Sequence, residues 1–425
     1  MKFDTAVIGG GFSGFAAAIS AAREGLKVIL IEKGNCMGGA ASNCLVQPFM
    51  PYVADINGEA VLLSRGIFEE ITDNFKKMYS DIDGVEITEK SLFLFNEEYM
   101  KVIFNQMAEE AGVTLLYHSY IIGAEMENGR VKSVKCSSTS GCFDIEADYF
   151  IDATGDANLA YMCGYPFRLG RDSDNLCQPM TLCFRIANVD NDVCKNIPRD
   201  QINELYKKLQ KDGKITNPRE NVLIFPTLTD GVLHFNTTRI VKLNPTEPFD
   251  LTKAEIIARK QVMEIYLMLK RNIPGFENCK LIMTAPEIGI RESRMIVGEY
   301  TLTGEIMKTC KIFDDAIALG NYGIDIHSPD GTGTSYYFFK PGEYYTIPYR
   351  CLIPKNSENL LVAGRCISVD HEAQASMRIM PIVCTVGEAA GTAAAIAFKS
   401  GKNVSDIDIT LLRKKLKDNG AAVEI

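Results

Sequence analysis

Apolar and polar positions change period twice within the first thirty-four residues. Thr5–Gly10 (TAVIGG) is a short apolar run of the kind a buried strand shows. Phe12–Gly25 (FSGFAAAISAAREG) keeps small residues on its packing side at helical spacing and stops on Gly25. Lys27–Glu32 (KVILIE) is a second, β-branched run. A strand, a tight glycine turn, a helix and a parallel strand within about thirty residues predict a βαβ unit.

Downstream, helical spacing predicts helices from about Glu59 to Met78 and from about Asn96 to Ala111, followed by a strand over 113–119 (VTLLYHS). From 121 to 155 the alternation has period two and is broken at Asn128-Gly129 and Ser140-Gly141. This predicts a three-stranded meander and a strand ending in Ala153-Thr154-Gly155-Asp156. The middle of the chain mixes strand runs, NVLIFP and GVLHFNTTRI among them, with an amphipathic helix over 251–275. Glu358–Ala397 then shows a strand, a glycine break at Gly364, a loop and a long helix of small residues. The order predicts an α/β fold. A Rossmann-like domain with a parallel sheet and a β-meander is assembled from 1–165 and 346–425, and a mixed α+β substrate domain is inserted at 166–345.

Composition narrows the class. A chain of 425 residues with 46% hydrophobic content can bury cores for two or three structural units. A net charge of -9 with scattered lysines leaves no footprint for a phosphate backbone, which argues against nucleic acid as a partner. Thirteen cysteines, an odd number with no CxxC pair, suggest neither a disulfide framework nor a metal site; they fit buried thiols in the reducing cytoplasm. The opening MKFDTAVIGGG runs directly into a strand, without an export signal. Met380–Phe398 has the length of a membrane span, but alanine and glycine supply little driving force and the central Glu388 costs insertion energy. It predicts a buried helix whose Gly387 and Gly391 admit another backbone.

The glycines of the first turn carry the chemistry. Gly9, Gly11 and Gly14 fit G-x-G-x-x-G: the first permits the turn, the second clears the backbone for a pyrophosphate, and the third lets helix meet strand. Phe12 and Ser13 open the helix, whose free N–H groups face the phosphates. Glu32 ends the second strand, where a carboxylate can accept hydrogen bonds from ribose hydroxyls. Together these features predict a dinucleotide site.

After Glu32, Lys33 leads into a second glycine loop, Gly38-Gly39, and the combination resembles flavoproteins of the glutathione-reductase type. With Ala153-Thr154-Gly155-Asp156, the Gly364-Arg365 break before the small-residue helix, and the segments IPYRCLIP, GIRESRMIVGEYTLT and NYGIDIHSPDG, the chain resembles the FAD-dependent oxidoreductases related to the fumarate reductase and succinate dehydrogenase flavoproteins. The resemblance implies FAD held along these loops. Arg365 would contact a phosphate, and the helix starting at Met380 would face the flavin edge that gathers negative charge on reduction. The Gly38-Gly39 loop carries no histidine for covalent attachment, so non-covalent FAD is implied, with Cys36 and Cys44 as packing residues. A second GxGxxG and a CxxxxC pair are absent, which argues against a nicotinamide site and dithiol chemistry.

Four histidines are available for proton transfer. His118 and His234 fall in strand patterns and suit structural roles; His327 and His371 fall in loops, where function concentrates. Arg291 and Arg378 could hold a carboxylate bidentately. Arg294 is a third cation nearby, and ion pairs to Glu292, Glu299 or Asp370 are the plainer alternative for each arginine. Tyr349 is held in reserve. The expected activity is hydride transfer between FAD and a small polar metabolite, anionic if the arginines face it. The alternatives are a flavin-binding subunit served by a redox partner protein and a non-redox dinucleotide protein resembling thiazole-forming enzymes.

Overall fold

The computed structural model describes residues 2–87 and 93–425. The opening unit forms as its pattern predicts: strand Lys2–Ile8, helix Phe12–Arg23 and strand Val28–Ile31, the strands parallel from Thr5↔Val28 to Ile8↔Ile31. They enter a seven-stranded sheet in the order Thr114–Leu116, Val28–Ile31, Lys2–Ile8, Gly141–Asp152, Arg130–Ser138, Tyr120–Glu127. The long strand Gly141–Asp152 serves twice. Its first half closes the meander, antiparallel to Arg130–Ser138, and its second half runs parallel to Lys2–Ile8. Leu360–Val362, from far down the chain, pairs with Phe150–Asp152. The registers align Ile8 with Ile31 and Asp152, and Asp152 with Val362, so the carboxyl ends of four parallel strands share one edge. Ligands of open parallel sheets bind at such an edge.

The apolar stretch with a span's length is the helix Met380–Ser400; among the described residues it is the one helix long and apolar enough to cross a membrane, and it is buried within the protein. It lies against the helix Phe12–Arg23, backbone on backbone. A Cβ on Gly387 would sit 2.0 Å from the Ser13 carbonyl oxygen, and one on Gly391 would sit 2.1 Å from that of Ala17. Ser20 Oγ donates to the Glu388 carbonyl across the seam at 2.9 Å.

Two main apolar clusters result. The larger surrounds the seven-stranded sheet and also takes in Met295, Phe313, Ile324 and Tyr345. The second is built on a four-stranded antiparallel sheet, in the order Ile224–Pro226, Leu233–Phe235, Phe184–Ala187 and Lys280–Thr284, packed with helices Arg199–Lys211 and Pro248–Asn272.

Several elements depart from the sequence pattern. The helix expected from Glu59 begins only at Ile67 and runs to Asp83. Before it, Val53–Ile56 and Glu59–Leu62 form a hairpin around Asn57 and Gly58, at φ 56° and 85°, the two positive angles that a tight hairpin turn requires. The strand expected over 113–119 shortens to Thr114–Leu116, which leaves His118 outside it at φ 53°. The next helix starts where expected, with Asn96 as N-cap accepting from the Glu98 N–H at 2.8 Å. His371 lies in no loop: it is the first residue of a helix, His371–Met377, capped by Asp370. His327 closes a strand, Ile324–His327, paired with Thr334–Tyr337.

Candidate active site

A groove of about 730 Å³ opens along the carboxyl edge of the parallel sheet. Every residue predicted to hold the dinucleotide lines it except Gly14. Gly14 is a packing residue, since a Cβ there would fall 1.8 Å from the Gly9 carbonyl oxygen. Gly11 behaves oppositely: its added Cβ would meet only Gly39 Cα, at 4.0 Å. Bare backbone with open space beside it is a cradle for a bulky anionic group. Ser13 Oγ is buried there without a protein partner, and the first turn of its helix holds no acidic residue. These features fit a pyrophosphate.

Glu32 is 6% exposed, and backbone pins both its oxygens: Oε2 accepts from the Gly10 N–H at 2.6 Å and Oε1 from the Gly34 N–H at 2.7 Å. The acid therefore ties the first glycine turn to the start of the second loop, and it lines the groove. Lys33 reaches across the opening to Glu287 at 3.0 Å. That wall, with Pro248 and Glu255, comes from the middle of the chain and had no signal in the early motif.

The Ala153-Thr154-Gly155-Asp156 turn is organised by a residue the motif did not single out. Asp152, fully buried, accepts from the Thr154 N–H and hydroxyl at 3.0 and 2.7 Å and from the Ala160 N–H at 2.9 Å. Burial pushes its carboxyl up, against the pull of those hydrogen bonds. Asp156 in turn accepts from Arg365 at 2.7 Å and Ser293 Oγ at 2.6 Å, which holds the Arg365 guanidinium at the groove while its Nε stays unpartnered. Arg294 is fixed on the same wall by the Asp156 carbonyl and Asn158, over the Tyr161 ring.

At the other end, the groove reaches Met380, Val383 and Arg378. The helix beginning at Met380 has Pro381 in its first turn and no acidic residue there, so its positive dipole end is uncancelled. Arg378 donates NH2 to the Asp325 carbonyl at 3.4 Å, and its NH1 has no partner. Arg291 donates to the Pro179 carbonyl, Thr181 Oγ1 and Asn236 Oδ1, all neutral acceptors. Burial, then repulsion from Arg378, Arg219 and Arg239, pushes the Arg291 guanidinium down to about 9. The carboxylates proposed as its plain partners are engaged elsewhere: Glu292 with His371, Glu299 with the Asn356 N–H, and Asp370 as a helix cap.

The two candidate histidines are held as opposite tautomers. Arg239 can only donate, so His327 Nδ1, 3.1 Å from its NH2, must accept; the proton sits on Nε2, which faces Asp325 at 3.4 Å. Burial, then Arg291, pushes His327 down to about 3, and it stays neutral. His371 Nδ1 faces the Glu292 carboxylate and carries the proton, leaving Nε2 as the free basic nitrogen. Neither ring lines the groove. Tyr349 is buried, its hydroxyl donating to the Val404 carbonyl at 2.7 Å, and His234 is fully buried in its strand.

A Rossmann-type βαβ unit with a second glycine loop, a groove along the parallel-sheet edge and a helix N-terminus at the groove's far end defines a dinucleotide-binding oxidoreductase. The chain belongs to the FAD-dependent oxidoreductase family, whose model matches residues 4–416, and FAD is its cofactor. It is 27% identical over 159 residues to the mitochondrial dihydrolipoyl dehydrogenase of Schizosaccharomyces pombe, covering 36% of this chain and 28% of that one. It is 23% identical over 207 residues to a digeranylgeranylglycerophospholipid reductase of Methanothrix thermoacetophila, covering 46% and 50%. The chain thus spans at most half the length of these curated relatives. Among solved structures, a geranylgeranyl bacteriochlorophyll reductase-like protein of Thermoplasma acidophilum aligns over 99% of this chain and 84% of its own, at 14% identity and a TM-score of 0.48.

Proposed function

We propose that the protein moves a hydride between its flavin and a small anionic metabolite, with segment 166–345 supplying substrate-facing residues. FAD, when bound, supplies the hydride chemistry. The chain supplies orientation. Arg378, at the Met380 end of the groove and without an ion-pairing carboxylate among the described residues, grips an acid group of the substrate so that the reacting carbon cannot turn away, and Arg291, which does not line the groove, adds its positive charge from beside Arg378. The Arg378 guanidinium, in the groove with its NH1 unpartnered, carries the reading.

His371, which stands off the groove at the start of the helix that ends before Arg378, exchanges the substrate's proton by way of a water at its Nε2, and Glu292 fixes the ring. His327, with both nitrogens engaged, holds Asp325 and Arg239 in place. The two glycine loops and the strand-to-helix segment near the C-terminal end support a kinship with the fumarate reductase and succinate dehydrogenase flavoproteins. Thirteen free thiols support a reducing, cytoplasmic setting.

Anaerobic titration of the yellow holoprotein with hydroxy acids, unsaturated acids, sugars and cyclic alcohols tests the proposal by loss or recovery of visible absorbance. Acids are expected to change it. Bleaching by neutral alcohols alone would overturn the reading.

A further inference from the structure

The groove for FAD is crossed on its solvent side. Its floor is apolar and sealed: Ile8, Phe12 and Ile31 line it and are each at most 3% exposed. Lys33 Nζ meets Glu287 Oε2 at 3.0 Å, and these two side chains, which also line the groove, are 49% and 44% exposed. The bridge therefore lies at the mouth, where it joins the two walls. Lys33 follows Glu32, the acid placed for a ribose. The Glu287 N–H donates at 3.0 Å to the carbonyl of Asn43, which ends the short helix after the Gly38-Gly39 loop. A nucleotide laid along the groove from Glu32 to that loop passes beneath the pair.

The main chain on either side is fixed. On the Glu287 wall, Cys44 Sγ donates to the Ile288 carbonyl at 3.6 Å and the Ile288 N–H donates to Glu255 Oε1 at 2.7 Å. Gly289 exchanges two backbone hydrogen bonds with Thr181, at 2.7 and 3.0 Å. On the Lys33 wall, the Gly34 N–H is held by Glu32, and the Gly34 carbonyl accepts from the His118 N–H at 3.0 Å. With both backbones anchored, the movable part of the mouth is the pair of side chains. Lysine and glutamate are rich in rotamers, and an ion pair half open to water forms and breaks readily.

We infer that Lys33 and Glu287 form a latch over the adenosine half of FAD, which opens to load the cofactor and opens again to release it. The latch joins protein to protein and needs no contact with the nucleotide. A gate that opens and shuts faster than FAD moves multiplies entry and exit by the same open fraction, so it slows both rates and leaves the affinity almost unchanged. A side chain that holds FAD directly changes the exit rate and the affinity together. The latch acts on the cofactor alone, whichever substrate the flavin serves.

The test compares stopped-flow uptake of FAD by apoprotein, followed by flavin fluorescence, with release of FAD from holoprotein into an excess of an apo-flavoenzyme scavenger. At low salt, Lys33→Gln and Glu287→Gln should each speed uptake and release alike, about 2- to 5-fold over the parent, with the Kd for FAD within about twofold. At about 0.5 M sodium chloride, which screens the parent's pair, the gap should close. The exchanged double variant, Lys33→Glu with Glu287→Lys, should return to the parent's rates, a rescue that a merely structural role of either residue would not produce. A carbodiimide needs no variant: it condenses a touching amine and carboxylate to an amide with loss of water. Protein joined in this way between Lys33 and Glu287, verified by peptide mapping, should take up and release FAD at least about tenfold more slowly, while Glu287→Gln treated alike keeps its rates. Faster release with uptake at the parent's rate would make the pair a direct hold on FAD and overturn the inference. Unchanged rates in both single variants, or free exchange of FAD by the joined protein, would overturn it too.

Discussion

His371 Nδ1 lies 2.7 Å from Glu292 Oε1, and the second oxygen of that fully buried carboxylate takes the Gln178 N–H at 2.8 Å. A base whose ring is oriented by a fixed carboxylate is the arrangement proton transfer demands. His371→Ala should retain FAD and slow flavin reduction by the substrate about 10²–10⁴-fold in anaerobic stopped flow. His327→Ala should mainly raise KM, by releasing Arg239 and Asp325. The reverse pattern would exchange the two roles.

Gly11 and Gly14 sit three residues apart and should fail differently. Gly11→Val places its side chain in open groove, so a folded, colourless protein is expected, with native far-ultraviolet circular dichroism and no bound FAD. Gly14→Val collides with the Gly9 carbonyl and should not accumulate as folded protein. A yellow Gly11→Val protein would contradict the assignment of the pyrophosphate to this turn.

Glu388 should make stability depend on pH. Burial pushes its carboxyl up to about 8; the Ile67 N–H, which it accepts at 3.0 Å, opposes the rise, Glu70 adds to it, and Arg23 opposes it. Because the folded state holds this proton more tightly than the unfolded state, the Glu388 contribution weakens as pH rises from about 5 to about 8. Glu388→Gln keeps an acceptor for Ile67 and loses the titration. Its Tm should fall less than the parent's over that range, and identical slopes would mean that Glu388 is ionised throughout.

Arg291→Ala should raise KM for an acidic substrate about 10- to 100-fold with a smaller change in kcat, because the grip is made in the ground state as well. Measuring the acid against its neutral amide separates charge from shape. If both lose equally, Arg291 acts through packing.

The cofactor half of the site was legible because its signals are local: three glycines, a strand-ending acid and a second glycine loop occupy one stretch of chain. The opposite wall was not, since Glu287 meets Lys33 only by a fold-back of 254 residues. Arg239 stands in undistinguished polar surroundings, and only its folded contacts with His327 and the Gly331 and Gly333 carbonyls give it meaning. Two misses had signals. Asn57-Gly58 is hairpin chemistry that the helical spacing around it outweighed. Asp370, three residues before Ala373, is a helix N-cap, and it accepts from the Ala373 N–H at 2.8 Å.

The seam between Ser20 and Glu388 joins residues 368 positions apart, and the strand Leu360–Val362 completes the sheet edge on which the groove is laid. During synthesis, the helix after the glycine turn must wait for the 368 positions that separate Ser20 from Glu388 before its packing partner exists. Until then the small-residue face of Phe12–Arg23 has nothing to cover it. FAD capture is therefore late relative to synthesis of the glycine turn, because the groove is complete only once Leu360–Val362 and the Met380–Ser400 helix have joined it.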